Sequence, residues 1–284
     1  MITLKNGFKL DFVVSSGALG FDGKGYWFEQ PFRWLGFIRP EEFTIITKTL
    51  TYKKRYGNLK WWCPWKSVKF IEGGVVNSVG LTNPGFHYWV DNYYSKLKYK
   101  TIVSINPFTP GEARMMAFDL DRLNIVAIEL NLSCPNAQKP HSEIDIVNAV
   151  TETTKHPVIV KLGYGNYLNF IRNYKGTGIA AYDLINSVGW NVVFPNKESP
   201  IRPCSGVSGP IIRKYAREAL ARAKIVSKIP VISGGGIDSV KEVYARFVMG
   251  AGAVSFGTLF LQSVYDGVPW EVNEIVDVCR KEMK

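Results

Sequence analysis

The sequence predicts an α/β protein of the (β/α)8 TIM-barrel type, a single domain over residues 1–284 with long loops at the carboxyl ends of its strands. Three observations carry this. Apolar, β-branched runs recur along the chain, helix-patterned stretches lie between them, and two long irregular connections interrupt the alternation. At 284 residues with 46% hydrophobic content, the chain can bury one large core. An open doubly wound sheet is the competing arrangement of the same units.

The strand-like runs fall at 10–15, 43–47, 101–105, 126–132, 157–162, 182–187, 229–233 and 253–256, which makes eight. Helical spacing covers 86–97, 111–123, 143–155, 167–174, 210–226, 239–249 and 270–283. The two long connections are residues 57–76, rich in Trp and Lys, and residues 190–210, rich in Pro. In a barrel both belong to the carboxyl-end face, where loops build active sites, and the first could form a hairpin or lid over the mouth.

Composition excludes several classes. No run of about 18 apolar residues is present to span a bilayer, and the amino terminus alternates like a strand rather than resembling a signal peptide, so a cytoplasmic protein without membrane attachment is expected. Cys63, Cys134, Cys204 and Cys279 lack CxxC or Cys/His spacing, which argues against a metal site. The net charge of +11 comes from scattered Lys and Arg, a pattern that favours a small anionic ligand over nucleic acid.

The chemistry is expected at residues 126–136, VAIELNLSCPN. A buried strand here ends abruptly in a thiol, Cys134, set between Asn131 and Asn136. Taken alone, such a loop reads first as a capped turn with a buried cysteine. Glycines supply a second signal: 205–209 (SGVSG) precedes a helix, 233–237 (SGGGI) follows a strand, and 256–258 (FGT) follows another. Backbone N–H groups at such turns can approach an anion, and a barrel often binds phosphate after its seventh and eighth strands. Lys48 and Lys161 each follow or end an apolar strand, where a cation is costly to bury unless an anion meets it. Asn77, Asn131, Asn136, Asn186 and Ser187 lie at strand ends or in the loops leaving them, and suit a flat heterocycle with amide-like edges.

Taken together and in order, 47–51 (TKTLT), 55–58 (RYGN), 77–81 (NSVGL), 131–136 (NLSCPN), 160–162 (VKL), Asn186-Ser187 and the glycine sites resemble the class 1 dihydroorotate dehydrogenases over nearly the whole chain. The resemblance implies an FMN-containing barrel that oxidises dihydroorotate to orotate in pyrimidine biosynthesis. It makes Cys134 the base that takes a proton from C5 while hydride leaves C6 for flavin N5. Class 2 enzymes carry serine at that position and a membrane-associated amino-terminal extension.

Carried over by position, the resemblance gives the substrate to Lys48, Asn77, Val79, Gly80, Leu81, Asn131, Asn136, Asn186 and Ser187. It gives FMN to Ser16, Gly17, Lys48, Thr49, Asn131, Lys161, Gly206, Gly235, Gly236, Gly257 and Thr258, with Lys161 near flavin N1 and O2. Lys48 bridges the two ligands and joins Cys134 as a catalytic residue. The implied assembly is a homo-oligomer or a complex with an electron-transfer subunit. After Gly57-Asn58 the family usually continues with Pro and Pro-Arg, whereas here 59–65 reads LKWWCPW and the connection is longer. Two other readings compete: an FMN-dependent reductase of another pyrimidine, like dihydropyrimidine dehydrogenase or the tRNA-dihydrouridine synthases, and a non-catalytic flavin-binding electron-transfer subunit.

Overall fold

The computed structural model describes residues 1–60, 62–133 and 141–282, and in it the eight apolar runs close on one another. The strands are β1 (Phe12–Val14), β2 (Thr44–Ile46), β3 (Thr101–Ile105), β4 (Ala127–Asn131), β5 (Val158–Leu162), β6 (Ile179–Leu184), β7 (Val231–Gly234) and β8 (Ala253–Phe256). Each pairs in parallel with the next, and β8 returns to β1 through Ser255 opposite Val13. That closure excludes the open doubly wound sheet.

Helices cover the outside in step with the strands: α1 (Gln30–Trp34), α2 (Phe86–Asn92), α3 (Pro110–Leu120), α4 (Glu143–Thr151), α5 (Tyr167–Asn173), α6 (Arg213–Val226), α7 (Val240–Val248) and α8 (Glu271–Glu282). Their starts follow ordinary capping chemistry. Thr109 and Ser239 accept from the backbone N–H of Glu112 and Glu242, and the Glu112 carboxylate accepts in return from Phe108 N.

One strand lies away from its expected place. The sequence puts the sixth at 182–187, but β6 runs Ile179–Leu184 and starts directly after Gly178, whose φ is +106°. The small residues Ala180 and Ala181 hide its beginning, while Ile185 and Val188 continue the apolar pattern beyond its end.

Strand parity explains the interior. Val13, Ile46, Ile102, Ala127, Ile159, Ala181, Ile232 and Ala253 form one buried cluster, one residue from each strand, closed from below by Ile2, Leu4 and Leu10. The lower closure is a small hairpin in which Ile2 pairs with Leu10, tied to the barrel by Asn6 Nδ2 donating to Val126 O at 2.9 Å. Because side chains alternate with a period of two, the next interior positions toward the carboxyl ends are Ser15, Lys48, Ser104, Glu129, Lys161, Asp183, Gly234 and Ser255. An apolar layer therefore gives way to a polar one at the height where the loops begin.

The two long connections meet above that layer. Residues 57–76 contribute a hairpin, Val68–Ile71 with Gly74–Asn77, and 190–210 contribute Gly206–Ser208, which pairs antiparallel with Gly74–Asn77 and with Val188–Gly189. The result is a four-stranded antiparallel sheet beside the barrel mouth.

Candidate active site

The carboxyl ends of the strands and the sheet beside them enclose a cavity of about 1410 Å³. Pockets for a single drug-sized ligand run to about 300–1,000 Å³, so this one has room for two small molecules side by side. Its lining contains every described residue that the sequence singles out: Ser16, Gly17, Lys48, Thr49, Asn77, Val79, Gly80, Leu81, Asn131, Lys161, Asn186, Ser187, Gly206, Gly235, Gly236, Gly257 and Thr258. Cys134 and Asn136 lie outside the described residues.

One wall is bare backbone. Gly235 and Gly236 follow β7 with φ of +83° and +76°, and a Cβ on Gly236 would stand 3.0 Å from the Arg213 backbone. Beyond β8, Gly257 precedes a short helix, Thr258–Tyr265, whose first turn faces the same cavity. Beneath this wall Arg246 is fully buried, and its guanidinium donates to Gly234 O at 3.3 Å, Gly235 O at 2.8 Å and Ser233 Oγ at 2.9 Å. Glu242 Oε1 takes the remaining Nε–H at 2.6 Å. Gly206 differs from the other glycines. It sits in the accessory sheet opposite Asn77, with Ser187 where its Cβ would be.

The floor is a chain of hydroxyls and amides. Asn131 Nδ2 donates to Thr49 Oγ1 at 2.8 Å, and Thr49 in turn meets Ser16 Oγ and Ser104 Oγ, each at 2.9 Å. Ser104 passes its hydroxyl proton to Glu129 Oε1 at 2.7 Å. On the other side Ser133 Oγ donates to Asn131 Oδ1 at 2.5 Å and accepts from Asn186 Nδ2 at 2.7 Å. This network fixes the orientation of both amides.

Two lysines supply the charge. Lys161 is buried with Nζ 3.0 Å from Asp183 Oδ2 and 4.0 Å from Glu129 Oε2. Burial alone would release its proton, but the Asp183 and Glu129 carboxyls hold its affinity above the usual lysine value. Lys48 has no such partner among the described residues, and burial pushes it down to about 8.

The mouth is aromatic. Leu59, Pro64, Trp65, Val68 and Phe70 from the first long connection join Trp27 and Phe28 along the rim. Asn58 Nδ2 donates to Ser78 O at 2.8 Å and holds the 77–81 segment against the cavity. Sequence reasoning missed Glu129, Asp183, Ser104, Ser133 and Arg246. A carboxylate in the middle of an otherwise apolar strand was the available signal for the first two, since such a residue must face a cation or a site.

A parallel barrel with a backbone anion cradle, a buried cation and paired amides at its carboxyl end defines an oxidoreductase that holds a nucleotide cofactor beside a small planar substrate. The sequence profile of the dihydroorotate dehydrogenase family matches residues 13–283, and the chain belongs to that family. It is 31% identical over 263 residues to "Dihydroorotate dehydrogenase B (NAD(+)), catalytic subunit" of Caldicellulosiruptor saccharolyticus, spanning 87% of this chain and 83% of the relative. A relative in Aeropyrum pernix that carries the provisional name dihydroorotate dehydrogenase A (fumarate) is 30% identical over 245 residues, 79% of this chain and 78% of its own. The B-type catalytic subunit of Enterococcus faecalis is 28% identical over 301 residues, spanning 96% and 90%. The protein is thus a class 1 enzyme that oxidises dihydroorotate to orotate.

The family's cofactor is FMN, and the residues present fit it. At Gly235, Gly236 and Gly257 a Cβ would press on Ile212 and Ala216, on the Arg213 backbone and on Ser15, so glycine is what lets this backbone line the cavity, and Lys161 stands as a buried cation on the cavity side of the barrel. No helix among the described residues is long and apolar enough to cross a membrane. Among the described residues no cluster of His, Cys, Asp and Glu could hold a metal ion.

Proposed function

We propose that residues 1–284 act as one barrel domain in which Cys134 is the general base, removing the C5 proton of dihydroorotate. When bound, FMN supplies the hydride acceptor for C6. Asn77, Asn131, Asn136, Asn186 and Ser187, with the backbone of Val79, Gly80 and Leu81, orient the pyrimidine ring. Lys48 bridges substrate and cofactor. Ser16, Gly17, Thr49, Asn131 and Lys161 hold the flavin, and Gly206, Gly235, Gly236, Gly257 and Thr258 its phosphate.

The observation that carries this reading is the Asn131 network. A single strand end ties Thr49, Ser133 and Asn186 together, so two amides and two hydroxyls from the ends of three strands converge on the residues that precede the cysteine in the sequence.

The B-type relatives are named as NAD(+) catalytic subunits, which supports a catalytic subunit that works with a second one; we take that partner to carry the electron transfer and the protein to be cytoplasmic. The Aeropyrum pernix relative carries the second reading, direct use of fumarate. Mixing the purified protein with dihydroorotate in the absence of oxygen tests the function: flavin bleaching and orotate release are expected. Cys134→Ala should keep FMN and lose about 10²–10⁴ in reduction rate. An unchanged rate would remove the assignment of Cys134. Re-oxidation by fumarate alone, with no second subunit, would decide for the second reading.

A further inference from the structure

Lys161, Glu129 and Asp183 come from three adjacent strands and meet in the polar layer of the barrel interior, with side chains 4%, 0% and 1% exposed. One cation thus faces two carboxyls in a place that water does not reach. An unneutralised charge at such depth is far costlier than a protonated acid. The hydrogen bonds point the same way. Glu129 Oε1 accepts from Ser104, but its Oε2 and Asp183 Oδ2 are both buried without a hydrogen-bond donor among the described residues, and both face Lys161 Nζ, at 4.0 Å and 3.0 Å. Two carboxyls can hydrogen-bond to one another only when one of them carries a proton.

We propose that Glu129 and Asp183 hold a single proton between them, and that this shared proton keeps the buried triad with Lys161 electrically neutral beneath the floor of the site. Burial, with Asp183 beside it opposing the help of Lys161, pushes the Glu129 carboxyl up to about 7, so the pair gives up its proton within the working range of an enzyme. No other interior position at this level competes: Ser15, Ser104, Gly234 and Ser255 do not ionise there. The cavity lining also carries Lys48, Glu29, Glu143 and Asp238, and Arg246 lies behind β7, bonded to Ser233.

The consequence for the cofactor rests on the flavin reading above. Loss of the shared proton leaves one net negative charge under the ring system, which disfavours adding electrons to it. The reduction potential of the bound flavin should therefore fall more steeply with pH around neutrality than in a protein lacking either acid. Asp183 and Glu129 are positioning residues in this scheme, acting on the site through Lys161.

Infrared difference spectroscopy between about pH 5 and about pH 9 tests the proposal on the protein with or without FMN. Glu29→Gln serves as the parent, because Glu29 is a second carboxyl that burial raises to about 7. The parent should show a protonated-carboxyl carbonyl band that disappears on going alkaline. Asp183→Asn and Glu129→Gln should each abolish it, since each leaves one carboxylate for one lysine. Lys161→Met, which keeps both acids and removes the cation, should shift its loss to higher pH. Absence of the band in the parent, its survival in either single variant, or an unmoved midpoint in Lys161→Met would overturn the proposal. A protein with the band but without FMN would instead refute the functional reading and leave the shared proton standing.

Discussion

Val76 and Val207 face one another across an antiparallel pair, and that register joins two loops leaving the barrel after different strands. Both are buried and belong to the large hydrophobic cluster that also holds Leu50, Phe86 and Leu130, so the sheet beside the mouth packs onto the main core. The Trp-rich connection is thereby anchored at its far end, while Trp62 and Trp65 stay exposed.

The close approach that permits this pairing gives the first prediction. Gly209 has φ +96°, and a Cβ there would stand 2.8 Å from Gly74 Cα, inside the hairpin. Gly209→Ala should cost about 1–2 kcal/mol for backbone strain, with more for parting the two loops. Gly7 is the control, since it has φ +81° and open space around it, so Gly7→Ala carries the strain alone. Thermal unfolding should show Gly209→Ala as the less stable of the two, and limited proteolysis should find its 68–77 hairpin newly cleavable. Equal stabilities would mean that the packing of this sheet adds nothing.

A second prediction concerns the support behind the backbone wall. Arg246 is fully buried and satisfies the carbonyls of Gly234 and Gly235, leaving their loop shaped toward the cavity. Arg246→Met orphans two carbonyls and leaves Glu242 with Arg213 and Arg217 at the surface side. A loss of about 3–5 kcal/mol is expected by urea denaturation, together with weaker FMN retention on dilution. Arg246→Lys, which keeps the charge without the fork, should fall between. A variant as stable as the parent would show that the wall is held by its glycines alone.

Much of this arrangement was legible in the sequence. The eight runs were visible because a parallel strand buried on both faces is apolar throughout, and a glycine or polar break marks each end. β6 was displaced because Ala180 and Ala181 are weak strand formers, and its ladder is set by Val158 and Val231 on the neighbours rather than by its own residues. The site glycines and amides were legible because they sit at strand ends, where chemistry of that kind has few other uses. Arg246 was not: on α7 it reads as an ordinary basic helix residue, and only the fold turns it inward beneath β7. The pairing of the two long loops was equally hidden, since it joins residues more than a hundred positions apart.

The third prediction is a pH dependence of stability. Glu29 is 1% exposed, and burial raises its carboxyl to about 7, against the single help of Tyr26 N donating at 2.6 Å. An acid whose folded pKa is raised binds more protons folded than unfolded, so stability falls as pH climbs from about 4.5 toward about 7 and stays lower above. At about 1.4 kcal/mol per tenfold change in proton affinity, the loss is at most about 3 kcal/mol. Glu29→Gln should make that part of the stability profile shallower, leaving the share of Glu129, which is also raised to about 7, as measured by urea denaturation at a series of pH values. A profile with the same slope in both proteins would assign the dependence to other groups.

The last prediction follows from the contrast between the two site lysines. Lys161 has carboxylates to hold its proton, whereas Lys48 has none among the described residues and is pushed down to about 8 by burial. Lys48 is therefore a cation at neutral pH and becomes neutral as the pH passes about 8. Dihydroorotate is an anion, and a charge-assisted hydrogen bond to it is worth about 1.5–3 kcal/mol, which is about tenfold or more in affinity. KM for dihydroorotate should rise by that factor as the pH passes about 8, while Lys48→Arg, which stays charged, should remove the rise. Lys48→Met should show the high KM at every pH. A parent KM that is flat from neutrality to alkaline pH would place Lys48 away from the substrate's charge, on the cofactor side of the cavity alone.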